Sequence, residues 1–301
     1  MEKDNFDPIA EQFDRIKASK KKETQQRKKK VGFDVKNYLN VKLSEGETTK
    51  KITIRILKLT PDSETNEPLM KVIHTHYLPS EKKSFICAKQ TENLPANIKR
   101  ECPFCDNRDD AEKMQKGASE AVWNKYKEIY KQNGSMINYI VRVIDRDDED
   151  FGVKFWKFSE PAYKLIDGLR EDNKADGIDI FDYENGKDLV ITVENVKGNS
   201  KITSITAKNK QTPLASTKER INELVSDEKL WSDVYGIKPY EYLELLIQGK
   251  EPFFDKAQGI WVEKDAKIED TTDEEFEDDY HLSEEESEYE SGIGKDDDLP
   301  F

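Results

Sequence analysis

Met70-Lys-Val-Ile-His74-Thr-His76-Tyr-Leu78, followed by Cys87 and then by Cys102-Pro-Phe-Cys105, joins a strand pattern to a cluster of metal-ligating residue types. Met70, Val72, His74 and His76 alternate with Lys71, Ile73 and Thr75, the period of a β-strand. All three cysteines and two of the three histidines of the chain fall between 74 and 105. The two-residue spacing of Cys102 and Cys105 presents two thiolates to one tetrahedral metal, and Cys87 with one histidine completes a Cys3His set. Four soft donors with no carboxylate among them predict a single, closed, structural zinc ion. His74 and His76 share a strand face, so spacing leaves the choice between them open. A redox Cys-x-x-Cys is the competing reading, but no helix start is evident directly after the pair.

Outward from this stretch the same alternation recurs. Ile52, Ile54 and Ile56 alternate with Thr53 and Arg55; Tyr139, Val141 and Val143 with Ile140, Arg142 and Ile144; Val153, Phe155 and Lys157 with Lys154, Trp156 and Phe158. Runs at Leu189–Val196 and Lys201–Ala207 flank Lys197-Gly198-Asn199-Ser200, a hairpin signal. Short strands at this density predict an antiparallel barrel or sandwich rather than a parallel α/β sheet. Helical insertions are expected at Asp109–Lys131, Ser216–Val225 and Tyr240–Ile247. The fold class is therefore mainly β with helical insertions, over a core of residues 32–262.

The ends differ from this core. Of the 301 residues 35% are hydrophobic and 37% charged, and the net charge is -14. Residues 263–301 hold 18 acidic residues and 3 lysines, so the whole net negative charge lies in a tail too polar to order itself. Residues 1–31 read as a short amphipathic helix, with Asp7 as cap, Pro8 at its first position and Ile9, Phe13 and Ile16 on one face. It runs into a stretch, 17–30, of net charge +7. No run of about 18 apolar residues is present, which excludes a transmembrane helix, and the N-terminus lacks a secretory pattern. An intracellular, reducing setting follows, in which cysteines serve as ligands rather than as a disulfide framework.

Aromatic residues sit beside basic ones along the middle of the chain. Trp123, Tyr126 and Tyr130 share a helical face near Lys125 and Lys127; Trp156 and Phe158 alternate with Lys154 and Lys157; Tyr139 precedes Arg142. Cations for phosphates and planar faces for unpaired bases suit single-stranded nucleic acid. No Gly-rich phosphate loop, nucleophile elbow or His-Glu-x-x-His occurs, so a binding protein rather than an enzyme is expected.

The order of basic arm, His74, Cys87, Cys102-Pro-Phe-Cys105, Trp123–Tyr130, Asn138–Asp145, Asp147–Gly152, Val153–Phe158 and acidic tail resembles the single-stranded DNA-binding (helix-destabilising) protein family of T-even-type bacteriophages. The resemblance covers most of 50–210. It implies an OB-type barrel with a zinc-binding subdomain, a cleft between them for single-stranded DNA, and His74 as the fourth ligand. It further implies cooperative self-association through the N-terminal arm, and replication, recombination and repair partners reached through the tail in the cytoplasm of a bacterial host cell. Separately, Asp296-Asp297-Asp298-Leu299-Pro300-Phe301 is similar to the partner-recruiting tip of bacterial single-stranded DNA-binding proteins. The chain differs from the phage family in a longer Cys87–Cys102 interval and in the lack of aromatics at 197–202. The alternative expectation is a zinc-stabilised RNA-binding or adaptor protein that does not coat single-stranded DNA.

Overall fold

One strand organises the sheet. In the computed structural model, which describes residues 35–58, 69–255 and 258–264, β4 (Ser135–Asp145) is buried on both faces. Tyr139, Val141 and Val143 enter the largest apolar cluster, while Ile140 and Ile144 on the opposite face enter two others. One edge of β4 pairs with β5 (Val153–Ser159). Its other edge is shared: β2 (Met70–Leu78) takes the first part and β1 (Thr49–Leu57) the last. The remaining length of β1 pairs with β6 (Lys187–Val196), β6 with β7 (Asn199–Gln211), and β2 with β3 (Lys83–Ile86). All these pairings are antiparallel, giving a seven-stranded sheet. A separate hairpin joins β8 (Pro252–Asp255) to β9 (Ile260–Glu263).

The antiparallel, mainly β architecture matches the sequence reading, but the sheet is not closed into a barrel. Among the described residues β7 pairs only with β6, and β3 only with β2. The outer edge of β5 receives a single parallel bridge, Tyr38 to Phe155, reinforced by the Leu39 N–H on the Phe155 carbonyl at 2.9 Å. The hairpin expected at 197–200 forms as a two-residue turn in which Lys197 and Gly198 both have positive φ, the geometry that matches strand twist. On β6, Asp188 accepts from Arg55 of β1 at 3.0 Å and from Arg146, just past the end of β4, at 2.8 Å. Gly186 is required beside this network, because a Cβ there would lie 2.3 Å from the Asp182 carbonyl oxygen.

The helices correct the sequence reading in three places. The single helix expected over 109–131 is two, α1 (Pro103–Gln115) and α2 (Glu120–Gln132), separated at Gly117, whose φ of 76° ends a helix. Moreover, α1 starts inside Cys102-Pro-Phe-Cys105, since Pro103 suits the first helical position. A third helix, α3 (Glu160–Ala175), was not foreseen; it packs Ala162, Ile166 and Leu169 on the sheet. Two short helices, α4 (Lys218–Val225) and α6 (Tyr240–Ile247), fall where expected, with α5 (Trp231–Val234) between them. The described residues from Lys36 on belong to one compact unit. No helix among them is long and apolar enough to cross a membrane. The arm 1–31 and the tail with Asp296–Phe301 lie outside the described residues, apart from the tail's first two.

Candidate metal centre and nucleic-acid groove

Three segments converge on one point. His76 comes from β2, Cys87 from the loop directly after β3, and Cys102 and Cys105 from the start of α1, and their donor atoms all lie within 4.8 Å of one another. The Cys87 and Cys105 sulfurs are 3.5 Å apart, and Cys105 Sγ is 3.6 Å from His76 Nε2. Tetrahedral bonds of about 2.3 Å place sulfurs about 3.8 Å apart, so the set already has the spacing of a four-coordinate metal site. All four residues are buried and no disulfide joins the thiols. The His76 Nδ1–H donates to the Gly134 carbonyl at 3.2 Å, which leaves Nε2 facing the sulfurs. Phe104 stacks on the imidazole at 4.8 Å and 9°.

The donors influence one another electrostatically. Burial disfavours charge on His76, yet hydrogen bonds with Cys102 and Cys87 outweigh it and push its pKa up to about 9. Hydrogen bonds from Cys102 and Cys105 hold the Cys87 thiol far below its usual range, while those with Cys102 and Cys87, with burial, push Cys105 far above. Protein groups alone thus favour a single thiolate, at Cys87, whereas a divalent metal would let all three sulfurs ionise together. The residues can hold a metal ion.

His74 is corrected by His76. β2 meets Cys87 at His74, but through the backbone: the Cys87 N–H donates to the His74 carbonyl at 2.8 Å, and the His74 N–H to Thr91 Oγ1 at 3.0 Å. The sulfurs are reached two residues further along the same face, where α1 lays Phe104 on His76. His74 Nδ1 is buried with no hydrogen-bond partner.

The aromatic and basic candidates divide sharply. Trp156, at 1% exposure, Phe158 and Tyr139 are members of the main core cluster, not surface platforms. Arg142 is buried, with a guanidinium N–H on the Asp227 carbonyl at 2.9 Å, and Lys154 is paired with Asp145 and Asp148 at 2.9 Å each. These five have internal roles, because the alternations that put basic residues beside aromatic ones belong to two strands, β4 and β5, that are buried on both faces. On α2, Trp123 remains 39% exposed with Lys127 4.5 Å over its ring, and Lys125 lies 5.8 Å over the half-buried Tyr126. Tyr130 is engaged by Arg108, whose guanidinium lies 4.5 Å over the ring and donates to its hydroxyl.

Lys157 opens onto a groove that the sequence reading did not assemble. β3 contributes Lys83, Ser84, Phe85 and Ile86 to it, and Tyr38, Tyr235, Lys238 and Tyr242 complete its aromatic and basic lining. It is thus lined by the edge strand β3, by Lys157 of β5 and by Tyr38, whose backbone bridges β5. Tyr38 meets Tyr235 edge-on at 4.9 Å, Lys157 lies 5.9 Å over Tyr235, and Lys238 lies 4.6 Å over Tyr242. Tyr38 and Tyr242 are half-buried, while Tyr235 is largely core. The signal was present in Tyr235-Gly-Ile-Lys238-Pro-Tyr-Glu-Tyr242, the same adjacency of aromatic and basic residues used elsewhere. Compared with protein-family models and with curated proteins, the chain finds no match in either.

Proposed function

We propose that the protein is a non-enzymatic, sequence-nonspecific single-stranded DNA-binding protein with one structural zinc. The observation that carries this reading is the groove, where half-buried tyrosines and lysines meet along the edge strand β3, directly beside the metal centre. Tyrosine faces stack on unpaired bases and ammonium groups meet phosphates, a combination indifferent to base identity. We read the sheet as an OB-type barrel opened at β3, with α1, α2 and the cysteine loop as its metal-bearing lobe. Zinc is the metal favoured by three thiolates and one imidazole, and a donor set already four-fold leaves no open position for catalysis. In this reading the arm 1–31 links neighbouring copies on DNA, and the tail, ending in Asp296–Phe301, meets replication and recombination proteins.

A salt titration of binding to single-stranded DNA, matched RNA and duplex tests it. Affinity for single strands should fall steeply with salt and exceed that for duplex. Tyr38→Ala and Tyr242→Ala should each weaken binding by roughly 1–3 kcal/mol if these rings stack on bases. Equal binding of single strand and duplex, or no response to either tyrosine change, would reject the assignment. A clear preference for ribose would move it to RNA.

A further inference from the structure

We propose that Lys89 is a positioning residue for the metal centre, a latch between the loop that carries Cys87 and the helix that carries Cys102 and Cys105, and that it sets how fast the metal is lost. The inference rests on the zinc reading above. Two residues after Cys87, the Lys89 ammonium donates to Asp106 Oδ1 at 3.0 Å and to Asp109 Oδ2 at 2.9 Å. Asp106 directly follows Cys105, and Asp109 lies one turn further along the same helix face. Elsewhere the loop is anchored to β2, to β4 and to itself: the Cys87 N–H bonds the His74 carbonyl, the Ser135 hydroxyl donates to Gln90 Oε1, and the Thr91 N–H bonds the Cys87 carbonyl at 3.0 Å. Arg100 steadies it from a third side, on the Thr91 carbonyl at 3.1 Å. Apart from the thiols, Lys89 makes the only hydrogen bonds from this loop to α1 among the described residues.

The consequence is kinetic. The four donors are buried, so a chelator reaches the metal only when a ligand segment swings out, and the Cys87 loop is the segment without regular secondary structure. That swing must break both Lys89 pairs. The ammonium is 38% exposed and its partners 45% and 51%, so the latch is screened by salt and modest at equilibrium. Metal retention should therefore depend on ionic strength through this one side chain, as expected of groups that orient ligands from behind.

The test uses the full zinc-loaded chain and measures transfer of zinc to excess 4-(2-pyridylazo)resorcinol across a salt series. Lys89→Met should bind one zinc with an unchanged circular dichroism spectrum and release it about three- to tenfold faster at low salt. Lys89→Arg should restore the slow rate. Asp109→Asn, which leaves the Asp106 pair, should fall between. Raising the salt should bring the wild-type rate up to that of Lys89→Met. Full zinc with equal rates in wild type, Lys89→Met and Asp109→Asn, or rates that stay in constant ratio at every salt concentration, overturns the latch while leaving the metal centre standing. A wild-type chain that holds no zinc overturns the metal reading, and this inference with it.

Discussion

His76 and His74 show what a single residue's position on a strand decides. Both lie on one face, yet His76 alone has its Nδ1 fixed by Gly134 and its ring covered by Phe104. His76→Ala should therefore abolish stoichiometric zinc, whereas His74→Ala should retain it, as metal analysis of the two purified variants would show. Spacing narrowed the fourth ligand to two residues and the family resemblance then favoured His74, the wrong one, because a strand period of two cannot see which turn of a distant helix packs on it. The tryptophans make the same point. Trp123 and Trp156 each have lysine neighbours in sequence, but Lys154 answers Asp145 and Asp148 while Lys127 lies over an exposed ring. Trp156→Ala should cost about 3–5 kcal/mol in denaturant unfolding. In a variant that still folds, oligonucleotide affinity should change far less than stability does.

Among the elements, α6 links the metal centre to the groove. Leu243 and Leu246 pack with Cys87, Cys102 and Phe104, while Tyr242 lines the groove and meets Trp261 of β9 edge-on at 4.8 Å. Chelating the metal should consequently loosen α6 and the β8–β9 hairpin without opening the main sheet. Hydrogen exchange should speed up over 240–263 while β1 and β6 stay protected, and affinity for single-stranded DNA should fall. Faster exchange confined to the cysteine loop would break this link. Elements with strong alternation or ends marked by turn residues were legible in the sequence: β1, β2, β4, β5, the β6–β7 hairpin, α4 and α6. α3 was passed over although Ser159 and Pro161 mark its start and Ala162, Ile166 and Leu169 keep helical spacing. The start of α1 was hidden because a helix start was sought after the cysteine pair, whereas Pro103 between the cysteines suits a helix's first residue.

For the whole molecule, charge and topology were legible to very different degrees. The -15 net charge of residues 263–301 accounts for the whole net negative charge of the chain. Removing them should tighten binding to single-stranded DNA at low salt and steepen its salt dependence, because a tethered polyanion competes for the same cations. Unchanged affinity in that deletion would show that the tail does not compete. The pairing of strands, by contrast, had no local signature. Nothing near Thr49–Leu57 indicates that half of it borders β4 and half β6, and the open side of the sheet, where the edge strand β3 lines the groove, is a property of all the strands together. The divided allegiance of β1 also imposes a schedule. About 130 residues separate Leu57 from Lys187, so at roughly 5–20 residues per second β1 leaves the ribosome about 7–26 s before its second neighbour exists. During that interval its edge from Thr49 to Ile54 is unclaimed, and β4 can shelter only the other end. Ribosome-stalled chains ending near residue 186 should be cut by protease within 49–54, and chains long enough to free Gln211 should resist, which makes synthesis beyond β7 the point at which the newborn protein becomes safe from its own unfinished sheet.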